Sequence, residues 1–278
     1  MNGPTASDKG ILRPHEAVRF IDLRRYPVPG RLGTYVERYW SVHWDLPEGT
    51  AYESVVIPHP CVNLSFMPVI GAELHGPGNA VSRHPLTGSG RVFGAKFRPG
   101  GFTAFSGVEA AALADWSSGA ATVLGPEADE LNAIVMNGAD EAAVEVVSRF
   151  LDARLPERAD PRYGRLLEVV AAMLEDRGIT RVDQVAARFF MSPKTLQRLF
   201  QDYVGLGPKT LIRRYRLHDA ADRLAEDPEA DLARLAAELG WSDQAHFTHD
   251  FKDLIGYPPA EYAAQCASAG RELVIARR

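Results

Sequence analysis

The chain has 278 residues, 46% of them hydrophobic and 24% charged, with a formal net charge of −5. That much apolar mass excludes a disordered chain and supports one large domain or two of ordinary size. No apolar run approaches the roughly 18–20 residues of a membrane span, and MNGPTASDKGILRPHEA at the start has no apolar signal core.

Two cysteines, Cys61 and Cys266, lie far apart and show no CxxC spacing, so neither a disulfide framework nor a zinc ribbon is expected. The reading is a cytoplasmic protein that does not contact membranes. A net −5 taken alone argues against a nucleic-acid partner.

In chain order, residues 1–14 are polar with Gly and Pro and read as a flexible tail. From about Thr34 to Phe105 the pattern is strand-like: YVERYWSVHWDL (35–46), ESVVI (53–57), CVNLSFM (61–67) and GRVFGAKF (90–97). Pro58, Pro60, Gly76-Pro77-Gly78 and Pro99-Gly100-Gly101 punctuate them. Short strands at close spacing predict a small barrel or sandwich. Tyr39, Trp40, Trp44 and Phe66 either fill its core or line an apolar pocket, and no ligand pocket is assigned.

Beyond Gly107 the period changes. GVEAAALADW, PEADELNAIVMN and DEAAVEVVSRFLDAR (140–154) read as helices. Val144, Val147, Phe150 and Leu151 form one stripe, for core packing or for a dimer seam. Pro156 and Pro161 bracket a linker, 156–161, after a first domain of residues 15–155. Residues 162–265 read as short helices throughout, and 266–278 as a second tail.

Charge is distributed unevenly. Between Arg188 and Arg216 seven basic residues face Asp202 alone, a net of +6, whereas His218 to Ala263 carries −8. The same region repeats itself at an offset of about 51 positions. Ala186 matches Ala237, Phe190 matches Trp241, Leu196 matches Phe247, Phe200 matches Phe251, Gly205 matches Gly256 and Pro208 matches Pro259.

In the first copy Val182, Val185, Ala186 and Phe189 form a stripe. Ser192 caps a second helix with Pro193 at its first position, and Leu196, Leu199, Phe200 and Tyr203 are its buried face. Its exposed face carries Lys194, Thr195, Gln197, Arg198 and Gln201. In the second copy Gly240 makes the turn, Ser242 is the candidate cap, and Gln244, His246, Thr248 and His249 are exposed.

This is helix-turn-helix grammar, with recognition helices at about 193–203 and 243–253. Arg pairs bidentately with guanine and Gln with adenine in the major groove. Residues 208–227 between the copies form one linker helix, roughly 27 Å long. Its Arg213, Arg214 and Arg216 either touch phosphate or pair with acids such as Asp219 or Asp222.

On MSPKTLQRLFQDYVGLGPKTLIRRYRL and LAAELGWSDQAHFTHDFKDLIGYPPAEY, residues 162–265 resemble the DNA-binding domain of the AraC/XylS family of bacterial transcription regulators. The resemblance implies two tandem units on adjacent major grooves of promoter DNA and an N-terminal domain that senses a small-molecule effector or makes a homodimer; the bound domain is expected to recruit RNA polymerase as an activator or to block it. It places Lys194, Gln197 and Arg198 at base-contacting positions in the first unit. In the second it places Gln244, His246, Thr248 and His249.

The family usually has Arg where His249 stands, and Asp250 follows it. The first unit is therefore expected to supply most of the affinity. PHPCVNLSF and GAKFRPGG resemble the cupin-like domain of a subgroup whose ligand is unassigned. The fold class is α+β: an N-terminal cupin-like β-barrel with flanking helices, then an all-α domain with two helix-turn-helix units joined by a linker helix.

His43, His59, His75 and His84 with Cys61 have no HxH or HxxxH spacing, so surface or core roles are expected and no metal or cofactor. RPGG (98–101) beside Lys96 is either an anion cradle or a tight turn; the turn is favoured, and no P-loop pattern accompanies it. No GxSxG nucleophile is present, and no catalytic residue is assigned.

Overall fold

The computed structural model describes residues 10–276. Its N-terminal half holds a short helix α1 (Pro14–Ala17) and strands β1 (Asp22–Tyr26), β2 (Val36–Asp45), β3 (Ala51–Val56), β4 (Asn63–Met67), β5 (Gly71–His75), β6 (Ser82–Thr87) and β7 (Ser89–Phe97). Helix α2 (Gly101–Ser106) and strand β8 (Ser117–Gly119) follow.

The strands form a six-stranded sheet in the order β1-β2-β7-β4-β5-β8 and a separate β3–β6 pair, with antiparallel pairings throughout. The mixed class expected from the sequence is therefore present, with the β-rich half built as two sheets. Of the strands, β2, β3, β4 and β7 coincide with the expected segments. The helix expected over GVEAAALADW shrinks to a 3-10 turn at Ala110–Leu113.

Helices α3 (Ala121–Leu124), α4 (Glu127–Asn137) and α5 (Asp140–Asp152) follow. On α5, Val147 and Leu151 are buried while Val144 and Phe150 pack partly buried against the same core. Tyr39 and Phe66 are fully buried core residues. Trp40 and Trp44 instead lie half-buried across Gly94 and Gly90, their register partners on β7.

Asp140 fastens α5 to the sheet. Its carboxylate accepts from Tyr26 Oη (2.6 Å) and Ser41 Oγ (2.6 Å), meets His43 Nε2 at 2.9 Å, and pairs with Arg91 at 2.7 Å. Burial would raise its pKa, but the hydrogen bonds from Ser41, Tyr26 and His43 and the charge of Arg91 outweigh that and hold it at about 2.

The second half contains helices α6 (Pro161–Glu175), α7 (Val182–Arg188), α8 (Pro193–Tyr203), α9 (Pro208–Glu226), α10 (Leu232–Glu238), α11 (Gln244–Ile255) and α12 (Pro259–Ala276). Two expectations about the ends are corrected. Residues 10–14 are packed: Ile11 bridges to Val56, and Leu12 is 3% exposed and donates its N–H to Val55. Residues 266–276 continue α12, with Cys266 buried. Residues 1–9 and 277–278, expected as tail, lie outside the described residues.

Two cores divide the molecule along a different line from the sequence boundary. The larger joins the six-stranded sheet to α6, α7, α8 and the start of α9, including Tyr35, Phe97, Tyr163, Leu196, Phe200 and Tyr215. The smaller joins α9 from Leu217 onward, α10, α11 and α12 to Leu12, Val55 and Ile57. RPGG is the turn between β7 and α2: Arg98 Nε donates to Gly33 O and its backbone N–H to Tyr35 O. Lys96 is buried on Glu37 at 3.0 Å, which removes it from any anion cradle.

Replacing Asp140 by Ala strands Tyr26, Ser41 and Arg91 and is expected to cost about 3–5 kcal/mol in urea denaturation. In the wild-type chain the depressed carboxyl contributes stability above its usual 3.8. That contribution, about 2 kcal/mol, disappears as pH falls from 3.8 through about 2, and D140A lacks this part of the acid dependence.

Candidate nucleic-acid interface

The first helix-turn-helix unit is α7 and α8 braced by α6. Ser192 lies in extended backbone and its Oγ accepts from Thr195 N at 3.0 Å, while Pro193 opens α8 where no N–H is needed. Leu196, Leu199, Phe200 and Tyr203 are all buried, as the spacing predicts. Their burial fixes which residues face outward. Lys194, Thr195, Gln197, Arg198 and Gln201 are exposed.

Thr195 Oγ1 lies 2.8 Å from Ser192 Oγ, so this hydroxyl belongs to the cap. Gln197 lies beside Gly207. The side chains of Lys194, Arg198 and Gln201 make no hydrogen bond or ion pair among the described residues. The far end of α8 is tied down through Tyr203, whose hydroxyl donates to Asp160, the cap of α6. Burial and that carboxylate push the Tyr203 phenol up to about 12, which keeps it a donor.

The second unit, α10 and α11 braced by α9, differs in detail from the expected repeat. The offset is 50 through the first helix and turn. Met191 N donates to Ala186 O, and Trp241 N to Ala236 O. The left-handed turn position is Phe190 (φ 53) in one unit and Gly240 (φ 83) in the other. From the second helix onward the offset is 51, because the second turn is one residue longer. The cap is accordingly Asp243, accepting from His246 N at 2.7 Å, and not Ser242.

Pairing Phe190 with Trp241 and Ala186 with Ala237 is corrected on the same ground. Phe190 is 96% exposed and Trp241 5%, and Ala186 is buried where Ala237 is exposed.

On α11, Gln244, His246 and His249 are exposed and Thr248 is half-buried. His246 lies 3.4 Å from Asp250 and His249 lies 3.3 Å from Asp253. Sequence reading missed Lys252, which is exposed and occupies the position of Gln201. Carrying the 51-residue offset to the helix end would have found it.

The linker-helix arginines have three different fates. Arg213 pairs with Asp250 at 3.2 Å, Arg214 is 3% exposed and donates to Asn79, and Arg216 lies 3.7 Å over the Trp241 ring and donates to Leu239 O. Burial lowers the pKa of both Arg214 and Arg216. Asp219, an expected partner for them, is held by Arg177.

The strand-region histidines are dispersed: His43 on Asp140, His75 between Ser65 and Ser117, and His59 tilted against His218 with ring centroids 4.7 Å apart. Among the described residues no three His, Cys, Asp or Glu side chains converge as a metal set.

A helix-turn-helix domain family matches residues 185–265, and a domain of unknown function (DUF6597) matches residues 24–118. The chain is 31% identical over 103 residues to the HTH-type transcriptional regulator MtrA of Neisseria gonorrhoeae, covering 37% of this chain and 33% of that protein. It is 33% identical over 97 residues to the HTH-type transcriptional activator RhaS of Escherichia coli, covering 34% of each.

The chain thus spans about a third of the length of these curated relatives. A solved transcriptional regulator from Chromobacterium violaceum, described as AraC-type DNA-binding domain-containing, is 26% identical. It covers 37% of this chain and 93% of that chain, with a TM-score of 0.34.

Asp250 is the internal brace of the second unit, since its other oxygen accepts the Trp241 indole N–H at 2.9 Å. Replacing Asp250 by Ala leaves that donor buried and unmatched and is expected to cost about 1–3 kcal/mol in thermal or urea unfolding. An unchanged midpoint would contradict the bracing role.

Proposed function

We propose, from the helix-turn-helix domain match at residues 185–265 together with the AraC/XylS resemblance of the same stretch, that the chain is a sequence-specific DNA-binding transcription regulator. The observation that carries this reading is the outer face of α8. A capped helix with four buried anchors holds Lys194, Gln197, Arg198 and Gln201 together in solvent. Lysine and arginine contacts to phosphate position the domain, and Gln197 and Arg198 read base edges. Thr195 adds a cap-constrained hydroxyl. On α11, Gln244, His246, Thr248 and His249 take the second groove, with His246 and His249 each beside a carboxylate.

The rest of the organisation belongs to the same proposal. Residues 162–265 form the DNA-binding domain, reached from residues 15–155 through 156–161. The N-terminal domain takes a small-molecule effector or a second copy of the chain. The bound complex acts on RNA polymerase, and the name of the relative RhaS favours activation. The relatives matched are transcriptional regulators, and no catalytic role is assigned to any residue.

Selection of bound duplex from a random library by the purified chain tests the reading. Two recovered half-elements about one helical turn apart are expected. Replacing Arg198 by Ala should cost about 1–3 kcal/mol of affinity and relax preference at one base pair. H246A/H249A together should weaken binding less than Q197A/R198A together. Recovery of no motif, or survival of both affinity and preference in R198A, refutes the assignment.

A further inference from the structure

The two units can be compared residue by residue, because the offset of 51 extends back into the bracing helices. It carries Arg162 of α6 onto Arg213 of α9, and Arg165 onto Arg216. Arg165 and Arg216 do the same structural work: each donates to the carbonyl closing the first helix of its unit, Phe189 O at 3.0 Å and Leu239 O.

In the second unit both arginines are tied to buried groups. Arg213 is held by the buried Asp250, and Arg216 is covered by the indole of Trp241. The first unit has Leu199 where the second has Asp250, and Met191 where the second has Trp241.

The consequences are visible at the surface. Among the described residues Arg162 has one ion pair, with Asp202 at 2.6 Å and open to solvent, and lies 5.7 Å over the Tyr203 ring. Arg165 keeps its carbonyl and reaches Glu168, also exposed. Between α6 and α8 lies a cleft of about 520 Å³. Met191 and Leu199 line it, and Arg162, Arg165, Lys194 and Arg198 surround it. Lys194 and Arg198 belong at once to this cleft and to the outer face of α8, so anything seated in it lies against whatever α8 reads.

We propose that the cleft seats a phosphodiester of the DNA backbone beside the groove that α8 enters, with Arg162 as the main cation contributed from outside the helix-turn-helix. The proposal rests on the DNA-binding reading above. It assigns a contact to α6 that lies outside the matched residues 185–265. It also makes that contact unique to the first unit, because Arg213 is paired to a buried carboxylate, Asp250, that also holds the Trp241 indole, whereas Arg162 is paired to Asp202 at the surface.

The test is a fluorescence-anisotropy titration of the full chain on its selected operator and on a scrambled duplex, from 50 to 200 mM KCl. For R162Q, log affinity against log salt should become shallower by about 0.9 on both duplexes, the signature of one lost phosphate contact. Base preference should be unchanged. D202N releases Arg162 and should tighten binding. M191W fills the cleft with its charges intact and should reproduce the R162Q loss, and thermal melts establish that each variant is folded.

R162Q with wild-type slope and affinity, while R198A still weakens operator binding, overturns the cleft assignment and leaves the DNA reading intact. A loss confined to the operator also overturns it, since that is base reading. A wild-type chain that binds neither duplex overturns both.

Discussion

The turn at Gly100 lets the sheet and the first helix-turn-helix unit share one core. Gly100 has φ 74, and a Cβ there would lie 2.6 Å from Leu166 and 2.9 Å from the Cβ of Tyr203. No side chain fits, so β7 hands the chain to α2 directly against α6 and α8. The same contact is sealed by Tyr35 stacked on Tyr163 at 5.5 Å, with the Tyr163 hydroxyl donating to Thr34 O. Interiors are packed like crystals, so α8 cannot shift against the sheet without opening voids. Its buried stripe thus fixes two things together: which face meets solvent, and how that face is oriented relative to the N-terminal half.

The second unit is held by different contacts. Helix α9 leaves the larger core at Tyr215 and enters the smaller at Leu217. There Val55 and Ile57 of the β3 segment, with Leu12, meet the helices. Arg83 on β6 lies 5.5 Å over the Tyr257 ring, and Tyr262 Oη accepts from Arg13 N. Each reading helix is therefore referred to the N-terminal half through its own set of contacts, and α9 is a strut shared by both cores. Burial along α9 withdraws Arg214 and part of Arg216 from solvent, while Lys209, Arg213 and Arg223 stay exposed.

Much of this was legible in the sequence where local rules act alone. Ser192 with Pro193, the stripe Leu196-Leu199-Phe200-Tyr203 and the length of α9 follow from capping and period, and the structure has them. The strands β1, β5, β6 and β8 were not: β1 and β6 are mostly exposed, β5 is a short GAELH run with only two buried positions, and SRHPLT and SSG carry no alternation to read. The repeat was found but slipped by one. Aromatic similarity joined Phe190 to Trp241, whereas backbone geometry joins Phe190 to Gly240. A sequence pattern counts side-chain types, and the turn is defined by φ. The fates of Arg213, Arg214 and Arg216 were illegible for a related reason, since a charge run does not say which members face inward.

The negative net charge loses its force on the same grounds. The acids crowded after His218 are largely spent on structure. Asp219 holds Arg177, Asp250 holds Arg213, Glu238 takes Arg223 and Arg234, and Asp231 and Asp243 cap α10 and α11. What a polyanion meets is decided within about 8 Å at physiological ionic strength, beyond which exposed charges are screened. Beside α8 the cleft brings together Lys194 and Arg198 from the helix and Arg162 and Arg165 from α6, with Asp202 and Glu168 the exposed carboxylates paired to the last two. At α11 the helix itself carries Asp250 and Asp253 beside its two histidines. The asymmetry between the units is therefore a property of whether the cations are paired at the surface or to buried groups, and the sum over the chain does not predict it.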